Sequence, residues 1–143
     1  MTLTLEGAFT ALVTPFRDGT VDTEALGSLV EFQIADGIAG VVPCGTTGES
    51  PTLTASEARD VIATTVRVTR GRVPVIAGTG TNATAETIAR TRAAKEAGAD
   101  AAMIVMPYYN KPTQRGLVAH VKAIHDASDL PLVLDNVPTR GTA

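Results

Sequence analysis

Short, continuous runs of apolar and β-branched residues recur along this chain and are separated by helical patterns. Gly40-Val41-Val42-Pro43, Val73-Pro74-Val75-Ile76-Ala77, Ala102-Met103-Ile104-Val105-Met106 and Leu130-Pro131-Leu132-Val133-Leu134 are four such runs, and Ala8 to Val13 supplies an earlier one. A strand with one wet face alternates apolar and polar residues. These runs do not alternate, which predicts strands buried on both faces of a parallel sheet.

The intervening segments have helical spacing. Thr23 to Asp36 carries Leu26, Leu29 and Val30, with Gln33 on the same face. Thr54-Ala55-Ser56-Glu57 is a capping box ahead of Val61, Ile62 and Val66. Thr84 to Ala97 ends at Gly98, a C-cap residue. Leu117, Val118, Val121 and Ile124 form one stripe, with Gly116 near its start. The repeat is roughly 30 residues, the size of a βαβ element. No linker, low-complexity tract or charge block interrupts it, so residues 1–143 are expected to form a single α/β domain of four βα units and a fifth strand.

Connections into the strands are short and plain, such as Arg70-Gly71-Arg72 and Ala97-Gly98-Ala99-Asp100. Connections out of them are different. They hold Gly45-Thr46-Thr47-Gly48-Glu49-Ser50, Gly78-Thr79-Gly80-Thr81-Asn82, Pro107-Tyr108-Tyr109-Asn110-Lys111-Pro112 and Asp135-Asn136-Val137-Pro138-Thr139-Arg140. The Gly/Thr-rich sequence and both tyrosines therefore gather at the C-terminal ends of the strands, where parallel α/β proteins place their sites.

Gly45 to Ser50 offers threonine hydroxyls and glycine-freed amides in a neutral cup suited to a carboxylate. The alternative is a plain turn whose threonines satisfy local backbone. It is not a P-loop, since no lysine follows to reach phosphates. Gly78 to Ala83 matches the dinucleotide fingerprint G-x-G-x-x-A, but the acid needed at the end of the next strand is missing and Asp100 lies at the wrong end of it. Tyr108 and Tyr109 are adjacent, so at most one faces the mouth of a barrel. Cys44 fits a small buried residue better than a nucleophile, because no histidine sits in a strand-end loop. His120 and His125 fall on different faces of the fourth helix, as packing or solvated groups. Lys95, Lys111 and Lys122 lie on helices or in a loop, not at strand ends where desolvation would prepare an amine for imine formation.

Composition narrows the function classes. A net charge of −3 without a basic stripe argues against nucleic acid. No K/R-rich run suggests a membrane surface, and no stretch approaches the roughly 20 apolar residues of a membrane span. One cysteine precludes an intrachain disulfide and suits a reducing compartment. With no leader pattern at the N-terminus, a cytoplasmic location is expected. No clustered metal ligands appear, and no cofactor is implied.

Taken together, the loop motifs resemble the dihydrodipicolinate synthase / N-acetylneuraminate lyase superfamily of class I pyruvate aldolases. Gly45-Thr46-Thr47-Gly48-Glu49, Val75-Ile76-Ala77-Gly78-Thr79-Gly80, the Tyr108-Tyr109 loop and Asn136-Val137-Pro138-Thr139-Arg140 carry the likeness, from about Gly7 to Arg140. The resemblance implies a (β/α)8 TIM barrel, of which this chain would be the N-terminal half. It implies a lyase acting through a pyruvate imine, without metal or organic cofactor, in a homo-oligomer. The Thr46-Thr47 pair and Arg140 favour the branch that condenses pyruvate with aspartate-4-semialdehyde in lysine biosynthesis. By the same resemblance Thr47 and neighbouring amides, including Gly48, would bind the pyruvate carboxylate, and Thr46 would join a proton relay. Tyr109 would complete a partner's relay across a dimer interface, and Arg140 would hold the semialdehyde carboxylate.

Two departures stand out. Asp135 occupies the position of the family's relay tyrosine, and the imine-forming lysine belongs on a sixth strand, beyond Ala143. The chain alone is therefore expected to be inactive. A non-catalytic carboxylate-binding or homologue-docking fragment is the alternative.

Overall fold

The computed structural model describes residues 3–139. Its elements are β1 (Phe9–Ala11), β2 (Phe16–Arg17), β3 (Thr20–Val21), α1 (Thr23–Ala35), β4 (Gly40–Val42), α2 (Ala55–Thr69), β5 (Ile76–Gly78), α3 (Thr84–Glu96), β6 (Ala101–Val105), α4 (Gln114–Ala127) and β7 (Leu132–Asp135).

β1 pairs in parallel with β4, and β5, β6 and β7 pair in parallel with one another. A single bridge, Val41 to Val75, joins the two groups. It is supported by Val41 N–H donating to the Pro74 carbonyl at 3.1 Å and Gly78 N–H donating to the Pro43 carbonyl at 2.8 Å. The parallel strands thus follow chain order. Each helix packs on the helix next to it in sequence, α1 on α2, α2 on α3, α3 on α4. A doubly wound sheet would divide these helices between two faces; one continuous helical layer is what right-handed crossovers give when the strand order never reverses.

The helix starts follow from local chemistry. The Asp22 side chain accepts from Ala25 N–H, and the Thr54/Glu57 box is closed on both sides. Thr113 caps α4 by accepting from Gly116 N–H, so that helix begins before the expected stripe, at Gln114. Strand limits shift as well. β1 is shorter than Ala8 to Val13, and β7 extends through Asp135, which the sequence places in the following loop. The β2/β3 hairpin is a feature that the periodicity does not announce. Its signal is Asp18-Gly19, both at positive φ (51° and 79°), a turn that matches the twist of flanking strands.

Both faces are buried along the central strands β4 and β5, while β1 and β7 at the margins are only partly covered. Val41, Val75 and Ala77 pack with Leu12, Leu26, Val30, Val61 and Ile62 on the helix side. Val42, Ile76 and Ala101 pack with Phe9, Met103 and Val133 on the other face. The described sheet is open: β1 pairs only with β4 and β7 only with β6, and Val118 and Leu134 beside the β7 edge are 69% and 52% exposed. A cavity of about 530 Å³ runs along this flank, lined by Leu117, Val121 and Leu134 among others.

The glycines that mimic a dinucleotide fingerprint serve this packing. A Cβ on Gly78 would fall onto the Cys44 carbonyl, and one on Gly80 onto the backbone of Val105. Asp100, at the opposite end of the strands, accepts from Val75 N–H at 2.8 Å. Substituting Gly78→Ala therefore forces β4 and β5 apart. Such overpacking costs about 1–3 kcal/mol or more, and we expect a loss at the upper end of that range by urea denaturation. An alanine variant as stable as the parent would show that the seam is pliable.

Candidate functional site

The turn after β4 starts from strained backbone: Cys44 has φ 57°. Thr46–Gly48 then forms one turn of 3-10 helix, and Glu49 closes it at φ 60°. The amides of Gly48 and Ser50 donate to the Gly45 carbonyl and that of Glu49 to the Thr46 carbonyl, at 3.0, 3.4 and 3.1 Å. The amides of Thr46 and Thr47, at the start of the turn, have no acceptor among the described residues. Gly48 is buried, with its carbonyl accepting from the Thr14 hydroxyl at 2.7 Å. A Cβ there would lie 2.9 Å from the Leu12 carbonyl. Gly48 therefore shapes the turn, and its amide is already engaged; the donors that remain for an anion are those of Thr46 and Thr47.

Beside this turn lies a cavity of about 400 Å³ at the C-terminal ends of the strands. Thr46 and Asp135 both line it, brought together from β4 and β7 across the sheet. Alternation along β7 places Asp135 on the same face as Val133, and it stands opposite Val105 in register. Tyr108 lines the cavity as well, while Tyr109 is 91% exposed. So the two adjacent tyrosines do part company. Thr47 is exposed and does not line this cavity. Arg140 lies outside the described residues.

Of the polar wall residues, two escape sequence reasoning, Glu86 and Arg90. Ser50 and Asn82 sit in the Gly/Thr-rich loops, where the strand-end pattern already pointed. Glu86 and Arg90, paired at 2.8 Å on α3, carry no such signal, because they are an ordinary i, i+4 pair until the helix is seen to border the cavity. The cavity thus carries Asp135 and Glu86 against Arg90.

The loop after β5 is fixed by buried threonines. Thr79 and Thr91 hydroxyls meet at 2.9 Å, Thr81 N–H donates to Thr87 Oγ1 at 3.0 Å, and the Thr81 hydroxyl donates to the Ala83 carbonyl. His120 is buried, with Nδ1 2.9 Å from the Thr84 hydroxyl, and burial holds its pKa below the ordinary value. His125 is exposed. Lys95 pairs with Asp129 at 2.7 Å and Lys122 with Asp126 at 2.9 Å, while Lys111 is exposed in its loop. None of these amines borders the cavity. Among the described residues no three His, Cys, Asp or Glu side chains gather as a metal would need. No helix among them is long and apolar enough to cross a membrane.

The sequence model of the dihydrodipicolinate synthetase family matches residues 4–143. The 4-hydroxy-tetrahydrodipicolinate synthase of Rhodospirillum centenum is 63% identical over 134 residues, which are 94% of this chain and 46% of that protein. The namesake from Rhizobium meliloti is 58% identical over 135 residues, again 94% and 46%. Among solved structures, dihydrodipicolinate synthase from Aquifex aeolicus superimposes with a TM-score of 0.93 at 52% identity, over 95% of this chain and 46% of that one. The chloride-inhibited enzyme from Acinetobacter baumannii, complexed with pyruvate, gives 0.93 at 53% identity, over 96% and 47%. The chain spans about half the length of these relatives, and its strands and helices are half of a (β/α) barrel.

Cys44 sits under this site, 2% exposed, its thiol 3.6 Å from the Ala58 carbonyl. Burial pushes its pKa from 9.0 up to about 12, and Arg90 opposes this only weakly. The folded state therefore holds the proton more tightly than the unfolded one. That preference costs nothing below pH 9.0 and destabilises the fold as pH rises from there toward about 12. We expect iodoacetamide to modify Cys44 slowly in the native chain and quickly in urea, with Cys44→Ala flattening the alkaline loss of stability. Rapid native labelling at neutral pH would contradict this burial.

Proposed function

This chain belongs to the dihydrodipicolinate synthetase family, and on that premise we propose that it supplies the pyruvate-binding half of a class I aldolase site. The reaction is the condensation of pyruvate with aspartate-4-semialdehyde. The observation that carries the reading is the pair of Thr46 and Thr47 amides, which meet no backbone acceptor among the described residues, in a turn beside a cavity that Thr46 itself lines. N–H groups left free in a turn can donate to a carboxylate, and charge-assisted bonds of this kind are the stronger ones. The Thr46 hydroxyl both donates and accepts, as a proton relay requires.

In an imine mechanism a lysine amine condenses with the pyruvate ketone and releases water. Loss of a methyl proton then gives the enamine that attacks the aldehyde carbon. None of Lys95, Lys111 and Lys122 lines the cavity, so on this reading the amine comes from outside this span. Tyr109, exposed and absent from the lining of its own cavity, acts in that of a second copy, while Arg140 holds the semialdehyde carboxylate. At the family's tyrosine position, Asp135 offers a carboxyl group that, once ionised, accepts protons but cannot donate a hydrogen bond. This feature favours a second reading, that the chain binds small carboxylates without catalysing anything.

Three measurements separate these readings. Pyruvate titrated into the labelled chain should shift the amide resonances of Thr46 and Thr47; silence at both would remove the carboxylate cup. Borohydride trapping with pyruvate should give no adduct on the chain alone and a stoichiometric adduct once it is joined to the C-terminal half of the Rhodospirillum centenum relative. In that joined protein Asp135→Tyr should raise kcat by at least roughly tenfold, the low side of what a positioned acid-base group contributes. If the tyrosine variant, properly folded, turns over no faster than the parent, Asp135 belongs to a different relay.

A further inference from the structure

The loop that carries Tyr109 is bent in an unusual way. Asn110 N–H donates to the Tyr108 carbonyl at 2.8 Å, and the residue between them, Tyr109, has φ 67°. That combination is a γ-turn of the rare positive-φ hand, a strained conformation for any residue with a Cβ. Lys111 follows at φ 45°, so two of three successive non-glycine residues occupy the left-handed region. Each costs about 1–2 kcal/mol, and such backbone persists only where surrounding contacts over-determine it. The Tyr109 side chain does not supply them, since it is 91% exposed.

We infer that Asn110 is a positioning residue for Tyr109. Its backbone amide closes the γ-turn, and its side-chain Nδ2 donates to the Asn82 carbonyl at 3.0 Å, tying the turn to the loop after β5. That loop is a firm anchor. Thr81 N–H is held by the Thr87 hydroxyl of α3, and Ala83 N–H by the Thr81 hydroxyl, both at 3.0 Å. The line of hydrogen bonds runs from α3 through Thr81 and Asn82 to Asn110, and it fixes where the Tyr109 phenol projects. Two contacts made by one residue, one along the chain and one across to a neighbouring βα loop, set both the bend of the turn and its direction.

The assignment rests on the reading that Tyr109 acts in a second copy's site, but its test is read without turnover. In the full chain, Asn110→Asp keeps the shape and removes the side-chain donor, and Asn110→Ala removes the group altogether. Both should speed amide hydrogen exchange within the 108–111 turn about three- to tenfold, the effect of losing one hydrogen bond. Both should also draw the Tyr109 Cα shift and HN–Hα coupling away from positive-φ values, with exchange in α2 and β5 and the thermal midpoint unchanged. Tyr109→Phe should leave the turn signature in place, so the catalytic reading can fail while this one stands. An unaltered turn in both Asn110 variants would overturn the inference. So would an acceleration spread evenly over α2 and β5, which would make Asn110 an ordinary fold residue.

Discussion

The closeness of β4 and β5 is the constraint on which the rest depends. Two parallel pieces of sheet meet there through one bridge and a bond from Gly78 to Pro43, and a missing Cβ makes the approach possible. Curvature concentrates at this seam. The turn that follows β4 starts at Cys44, whose carbonyl is the atom that Gly78 approaches. The Cys44 turn and the start of the loop after β5 therefore meet at one close contact. Moving the seam would move the Thr46–Gly48 turn and the threonine-fixed loop together.

Parallel order, helix positions and a cavity at the C-terminal ends of the strands were legible in the sequence because each has a local cause. Unbroken apolar runs mean two buried faces, capping residues mark helix starts, and glycine with threonine collects where backbone must turn tightly. What escaped had no local cause or a misleading one. The Asp18-Gly19 hairpin is a short-range signal hidden beside a stronger period. Gly78 and Gly80 looked like a phosphate-binding signature because close approach to a ligand and close approach to a neighbouring strand ask for the same residue. Glu86 and Arg90 join the cavity only through the packing of α3, which no spacing rule encodes. The bond from the Gly48 amide to the Gly45 carbonyl also escaped, because which amides a turn engages depends on its helical type.

Asp135 illustrates how one position couples fold and chemistry. Its backbone carbonyl accepts from Met106 N–H at 3.0 Å, so the residue belongs to the sheet and cannot swing away from the cavity. The carboxyl group is held where the sheet aims it, facing the cavity with Thr46. A substitution in a mobile loop could be accommodated by rotation. Here the backbone is committed to the sheet, so what position 135 offers the cavity is the chemistry of a carboxyl group.

The unpaired edges of β1 and β7, and the apolar flank beside Leu134 and Val118, have a meaning for the life of the polypeptide. A barrel normally removes its edges by closure. Any interval in which this span exists without a covering partner, whether during synthesis or after proteolysis, presents strand templates and greasy surface to every neighbour at once. Chaperone holdases recognise such surface, and aggregation nucleates on it. How long such an interval can last without loss is then a kinetic matter, which core stability alone does not set.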